Sequence, residues 1–125
     1  MRYMYISSSD SLAYHPLNEP SSFSIELPGP YNNVKRIALL EFGCKNFNES
    51  VYVLCDLVER NLVHDDSRAV LRYISDVGEI QNPLFVDTIR ESFNRISFTV
   101  LTQNMNEPTD LGAVHMILAL DVESD

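Results

Sequence analysis

The sequence predicts an all-β protein: an antiparallel β-sandwich of seven or eight short strands, a jelly roll being one arrangement of them. Three observations carry this. Apolar and polar residues alternate in short run after short run, the period of a half-buried strand. Clusters of Ser, Asn, Asp, Pro and Gly separate the runs and supply turn chemistry. No stretch of ordinary length shows the period of an amphipathic helix. The best helical candidate, residues 85–93, is short.

The elements follow in order. Arg2–Ser7 alternates, with Tyr3 and Tyr5 on one face and Arg2, Met4 and Ile6 on the other. SSSDS then turns the chain, and residues 12–22, with Pro16 and Pro20, form a loop. Residues 23–27 (FSIEL) make a strand expected to stop at Pro28-Gly29-Pro30. A slip by one residue would expose Phe23, Ile25 and Leu27 together, so its register is firm. Val34–Cys44 is longer and more continuously apolar, as an interior strand requires. Residues 45–50 turn, 51–58 form a strand, and 69–74 form another.

Between those two strands, residues 60–68 read as a turn reaching solvent at one end of the sandwich. Surface contacts Arg60/Asp65 and Asp66/Arg68 would order it, each contributing under about 1 kcal/mol. Residues 76–82 are a loop, and 83–89 either a short edge strand or a single helical turn. Residues 96–100 alternate again, and 103–110 carry turn residues. Val114, Met116, Leu118, Leu120 and Val122 line one face of the last strand, before a solvated tail, Glu123-Ser124-Asp125. The expected core holds Phe23, Ile25, Leu27, Ile96, Phe98, Val100, Met116 and Leu118.

The 125 residues suit one domain spanning 1–125. A formal net charge of -9 opposes a nucleic-acid groove, which neutralises phosphate with Lys and Arg. It equally opposes a polybasic membrane surface. No run is long enough to span a bilayer, and MRYMYISSSD lacks the apolar core of a signal peptide, so no membrane insertion is expected. Cys44 and Cys55 form no CxxC and sit in no Cys/His cluster, which points to free thiols in a reducing compartment and not to zinc. Asp65-Asp66 lacks the alternating oxygen ligands of a calcium loop, and 4 Gly leave no phosphate cradle. His15 precedes Pro16 in a loop, and His115 shares a strand with Ile117 and Ala119. No cofactor is expected.

One stretch, VYVLCDLVERNLVHDDSRAVLRYI, invites a catalytic reading, with Cys55 as nucleophile, His64 as base and Asp65 or Asp66 as its orienter. Strand alternation argues against it. Cys55 falls in the row of Val51, Val53 and Leu57, while Asp56 faces the other way. A thiol buried in such a row has a raised pKa, the opposite of an activated thiolate. The residues read more economically as strand, turn and strand. No enzymatic activity is expected, and a small cysteine hydrolase stays as a remote alternative.

The same stretch resembles a segment of proteins from adintoviruses and Maverick/Polinton elements. There an apolar strand ending in Cys-Asp-Leu-Val is followed by an Asp-containing turn and a Leu-Arg strand. FSIELPGPY and VKRIALLEFG resemble the same proteins' Phe-x-Val-x-Leu-Pro segment and the following Ala-Leu-x-Glu strand. RESFNRISFTVLTQNMNEPTDLGAVHMILALDV resembles their C-terminal hairpin. The resemblance runs from about Ser8 to Val122 and rests on order and spacing more than on any one piece. It departs at Glu59-Arg60, where those proteins place Pro after Glu, so the chemistry of that turn does not carry over. Length and acidity resemble the small left-hand-end virion proteins of atadenoviruses.

What the resemblance implies is a viral structural protein. It would be a minor capsid or cementing component at the virion surface or vertex, made in the host cytoplasm and assembled in the host nucleus. Its partners would be itself, as a trimer, and other capsid proteins. A receptor- or ligand-binding attachment module is the alternative. Tyr3, Tyr5, Tyr14 and Tyr31 offer amphipathic contact area. The expected partner-binding residues are Tyr3 and Tyr5, together with Arg60, Asn61, His64, Asp65, Asp66 and Arg68.

Overall fold

A computed structural model describes residues 1–123. Among these residues the chain is all-β and contains no helix. Every strand pair is antiparallel. The first sheet runs β1 (Arg2–Ser7), β11 (Val114–Val122), β3 (Val34–Cys44), β8 (Gly78–Glu79), and β9 (Val86–Asp87) also pairs with β3. The second runs β2 (Ser22–Tyr31), β10 (Phe93–Thr102), β4 (Val51–Cys55), β7 (Val70–Ile74). β5 (Asn61–Val63) and β6 (Asp66–Arg68) form a hairpin of their own. The eleven strands exceed the expected seven or eight, because β5, β6, β8 and β9 are too short to leave an alternating pattern in the sequence.

Alternation decides which side chains meet. Both sheets contribute to one apolar cluster. Met4, Ile37, Leu39, Phe42, Met116, Leu118 and Leu120 come from the first, and Phe23, Ile25, Val51, Val53, Ile96, Phe98 and Val100 from the second. Of the expected core, all are buried except Leu27, which is half-buried. Leu27 lies where β2 loses its register. Glu26 opposes Arg95 and Tyr31 opposes Phe93, so residues 27–30 bulge out opposite Asn94. The Pro28-Gly29-Pro30 segment therefore bends the strand and does not stop it. β2 is an edge strand, and a proline on the outer edge removes a donor that has no ladder partner.

Three other boundaries differ from expectation. β4 ends at Cys55, not Val58, because the chain there crosses toward the first sheet. The Glu59 N–H donates to Asp87 O (2.9 Å) and the Ile89 N–H to Leu57 O (2.8 Å). Leu57 and Val58 are thereby buried outside any strand. The helical reading of residues 85–93 fails: Val86 and Asp87 pair along β3 opposite Ile37 and Arg36. Of the expected tail, Glu123 is tied by its N–H to Asn33 O (2.9 Å), while Ser124 and Asp125 lie outside the described residues.

The sheet edges are finished unequally. On β2 the outward backbone groups are occupied in turn. Ser22 exchanges hydrogen bonds with Glu19 (3.0 Å each), and Ser24 N–H donates to Asn18 Oδ1 (2.9 Å). Asn18 Nδ2 donates to Ser24 O (2.7 Å), Glu26 N–H donates to Ser11 Oγ (3.0 Å), and Pro28 and Pro30 have no N–H to offer. β7 is short and carries an extra residue, Leu71, against β4. β8 and β9 are two residues each. These are the usual devices that keep an edge from recruiting another chain.

One glycine is dictated by its backbone. Gly112, just before β11, has φ +74°, and a Cβ there would stand 2.5 Å from Lys45 Cβ. Gly112→Ala should cost about 1–3 kcal/mol, from left-handed strain plus that clash. Denaturant unfolding measures it, and a loss under about 0.5 kcal/mol would show that the loop relaxes freely.

Candidate functional site

The residues expected to form a turn at 60–68 are a β-hairpin. Asn61 pairs with Arg68, Leu62 with Ser67 and Val63 with Asp66. His64 (φ 49°) and Asp65 (φ 66°) make the two-residue loop. Positive φ at both central positions is the geometry whose twist matches the flanking strands, and His and Asp tolerate it better than most residues. The hairpin does not project from one end of the molecule. It folds over the outer face of the second sheet, where Tyr52 and Leu54 point outward from β4. Tyr52 Oη and His64 Nε2 are 3.2 Å apart, with the rings edge-on at 6.0 Å. Tyr52 also packs on Tyr73 of β7 at 4.8 Å, and the Gln103 amide donates to Tyr73 Oη.

Beneath the hairpin lies a cavity of about 220 Å³. Arg60 and Arg68 line it from above, and Leu54, Asp56, Ser97 and Thr99 from the sheet. Arg60 Nη1 donates to Ser67 O (3.1 Å) and so does not form the expected contact with Asp65. The Asp66–Arg68 pair does form, at 3.2 Å. Arg68 Nε is buried without a hydrogen-bond partner. Asp56 Oδ1 accepts from Ser97 N–H (2.9 Å), which holds the carboxylate against β10. Two guanidinium groups over two hydroxyls can hold a small polar or anionic group by hydrogen bonds. Among the described residues no group of three or more His, Cys, Asp and Glu side chains is placed to hold a metal ion.

Cys55 and His64 stand on opposite faces of the second sheet. Cys55 is 1% exposed, between Val53 and Leu57 in the core, whereas His64 touches Tyr52 outside. Burial pushes the Cys55 thiol up to about 12. Cys44 is raised too, by partial burial. At pH 8 a thiol reagent should therefore label Cys44 first and reach Cys55 only on unfolding. Fast labelling of Cys55 in the folded protein near pH 7 would bring the hydrolase reading back.

Tyr3 and Tyr5 are 54% and 75% exposed on the outer face of β1, opposite Ala119 and Ile117. Arg2 lies on the inner side, 4.4 Å above the Tyr31 ring, which stacks on Phe93 at 5.9 Å. Tyr14 is exposed in the loop after β1. The expected partner-binding residues thus divide into two surfaces on different sheets, and the fold does not bring them together. Sequence reasoning missed Tyr52, Tyr73, Ser97, Thr99 and Gln103. Tyr52 carried a signal: a large aromatic in the outward phase of a strand calls for a cover. A scan against protein-family models finds no match to this chain, and a search of the curated proteins finds none either.

Proposed function

We propose that this chain is a jelly-roll β-sandwich serving as a structural component of a virion, a minor capsid or cementing protein that binds itself and its capsid neighbours. Strand order carries the reading. With the β5–β6 hairpin set aside and β8 and β9 sharing one edge position, the orders β1-β11-β3-β8 and β2-β10-β4-β7 match the plan of an eight-stranded jelly roll. That plan is common in viral capsid and lectin domains. A fold alone assigns no function. The segment-by-segment resemblance to adintovirus and Maverick/Polinton proteins, with a length and acidity like those of atadenovirus virion proteins, supplies the viral half, and with it synthesis in the host cytoplasm and assembly in the nucleus. The buried Cys55 supports binding without catalysis.

The test is particle content. Purified virions should retain the chain at a constant ratio to the major capsid protein through salt washes, read by quantitative mass spectrometry. Its absence from particles would end the reading. The cavity under the hairpin favours a second one, an attachment module for a small polar or acidic group on a host receptor. In that case the isolated protein binds host cells, and Arg68→Ala abolishes binding while the fold persists.

A further inference from the structure

We propose that the free edge of β1 pairs antiparallel with β1 of a second copy of this chain, joining the two first sheets across a two-fold axis. The inference rests on the self-associating structural reading and names its surface. The parity of the ladder shows what the edge offers. Ser8 N–H donates to Val114 O (2.8 Å), which makes Ser8 and Val114 a hydrogen-bonded pair continuing the β1–β11 register. In an antiparallel ladder such pairs alternate. Arg2, Met4 and Ile6 therefore bond to β11, and the backbone groups of Tyr3, Tyr5 and Ser7 point away from it. Those of Ser7 are occupied: its N–H donates to Asp10 Oδ2 (2.8 Å) and its O accepts from Asp10 N–H (3.0 Å). Tyr3 and Tyr5 have no such cap among the described residues. Against the stoppered β2, the bulged β7 and the two-residue β8 and β9, β1 is the edge left open.

Charge favours a second copy as the occupant. In a chain of net charge -9, β1 carries one charged side chain, Arg2, and it is a cation. Asp10 and Glu26 line the groove beside the opposite end of β1, with Tyr5 and Ile6. Two-fold pairing with Tyr3 opposite the second copy's Tyr5 puts Met4 against its own counterpart and carries each Arg2 toward the other copy's acidic end. Each Tyr3/Tyr5 pair exchanges both backbone hydrogen bonds and adds a cross-strand aromatic contact. A two-fold interface closes at two copies, so the trimer expected from the resemblance is not built through this edge.

Sedimentation of the full chain from micromolar to millimolar concentration should give a monomer–dimer equilibrium. Tyr5→Pro removes only an outward N–H and should weaken the dimer about tenfold or more, while Tyr5→Phe leaves it intact. Met4→Cys should cross-link on oxidation as a disulfide dimer, since a non-hydrogen-bonded pair brings Cα atoms to about 4.5 Å. Wild type, with Cys55 buried and Cys44 half-buried, should not. Circular dichroism checks each fold, and if Tyr5→Pro fails to fold, Met4→Cys decides. A monomer at every concentration, a dimer indifferent to folded Tyr5→Pro, or no Met4→Cys cross-link overturns the pairing. Particle content is a separate readout: a chain found in virions but monomeric in solution loses this interface and keeps the virion reading.

Discussion

Phe98→Ala is expected to cost about 3–5 kcal/mol of stability in denaturant melts. Phe98 is 1% exposed and faces Phe23 on one neighbouring strand and Cys55 on the other. Its ring lies 5.5 Å from that of Phe23. Truncation removes buried area, the aromatic contact and the filling of the cluster that both sheets share. Against a total stability of about 5–15 kcal/mol for a domain of this size, that is a large share. Tyr5→Ala, on the outer face of β1, is the control and should stay within about 0.5 kcal/mol. A Phe98→Ala loss under about 1 kcal/mol would mean that β10 does not present this residue to the core.

Val53→Asp should be worse, above about 4 kcal/mol at neutral pH, and should remove much of that stability. Val53 is fully buried, and β10 and β7 flank it with Val100 and Arg72 in register. Leu54→Asp, one residue along, opens onto the cavity under the hairpin and should cost about 1–2 kcal/mol. The pair tests alternation directly, because a slip of one residue would exchange the two results. The sign of the pH effect follows from burial. Desolvation raises the folded-state pKa of the new carboxyl above its unfolded value, so its neutral form is the tolerated one. The deficit of Val53→Asp relative to wild type should thus be smallest below about pH 4, the unfolded value, and widen as pH rises from there toward the raised folded-state pKa. Equal deficits at pH 3 and pH 7 would show that the side chain has swung out to water.

The long strands were legible because their energetics are local to the sequence. Phe23 and Ile25, and Ile96, Phe98 and Val100, each announce one buried face. Of the short edge strands only β9 was half legible, as the edge-strand reading of residues 83–89, because β8 and β9 exist only where β3 offers a free edge, which no window of the sequence contains. The hairpin was half legible. Asp65-Asp66-Ser67 signalled a reversal, but its pairing needs His64 and Asp65 both left-handed, and its position over the sheet depends on Tyr52, twelve residues before His64. Pro28 and Pro30 misled for a related reason. A proline ends a strand that needs its N–H, and an outer edge does not need it. Alternation placed Tyr3 and Tyr5 on one face of their strand, and the fold turns that face outward, but which neighbours cover the hairpin is a matter of topology.

The Asn18 amide stands in for a strand on the far side of the second sheet, with both of its polar atoms on the backbone of Ser24. In a molecule that pairs through β1, the loop that carries Asn18 sets the valence, because its Ser11 and Glu19 close the neighbouring backbone of Glu26 and Ser22. A nick in the loop at 8–21 that releases all three uncovers the edge of β2 and gives every subunit a second place to pair. Subunits that pair at two edges add end to end without closing, so loss of that one loop would turn a closed pair into a growing fibre.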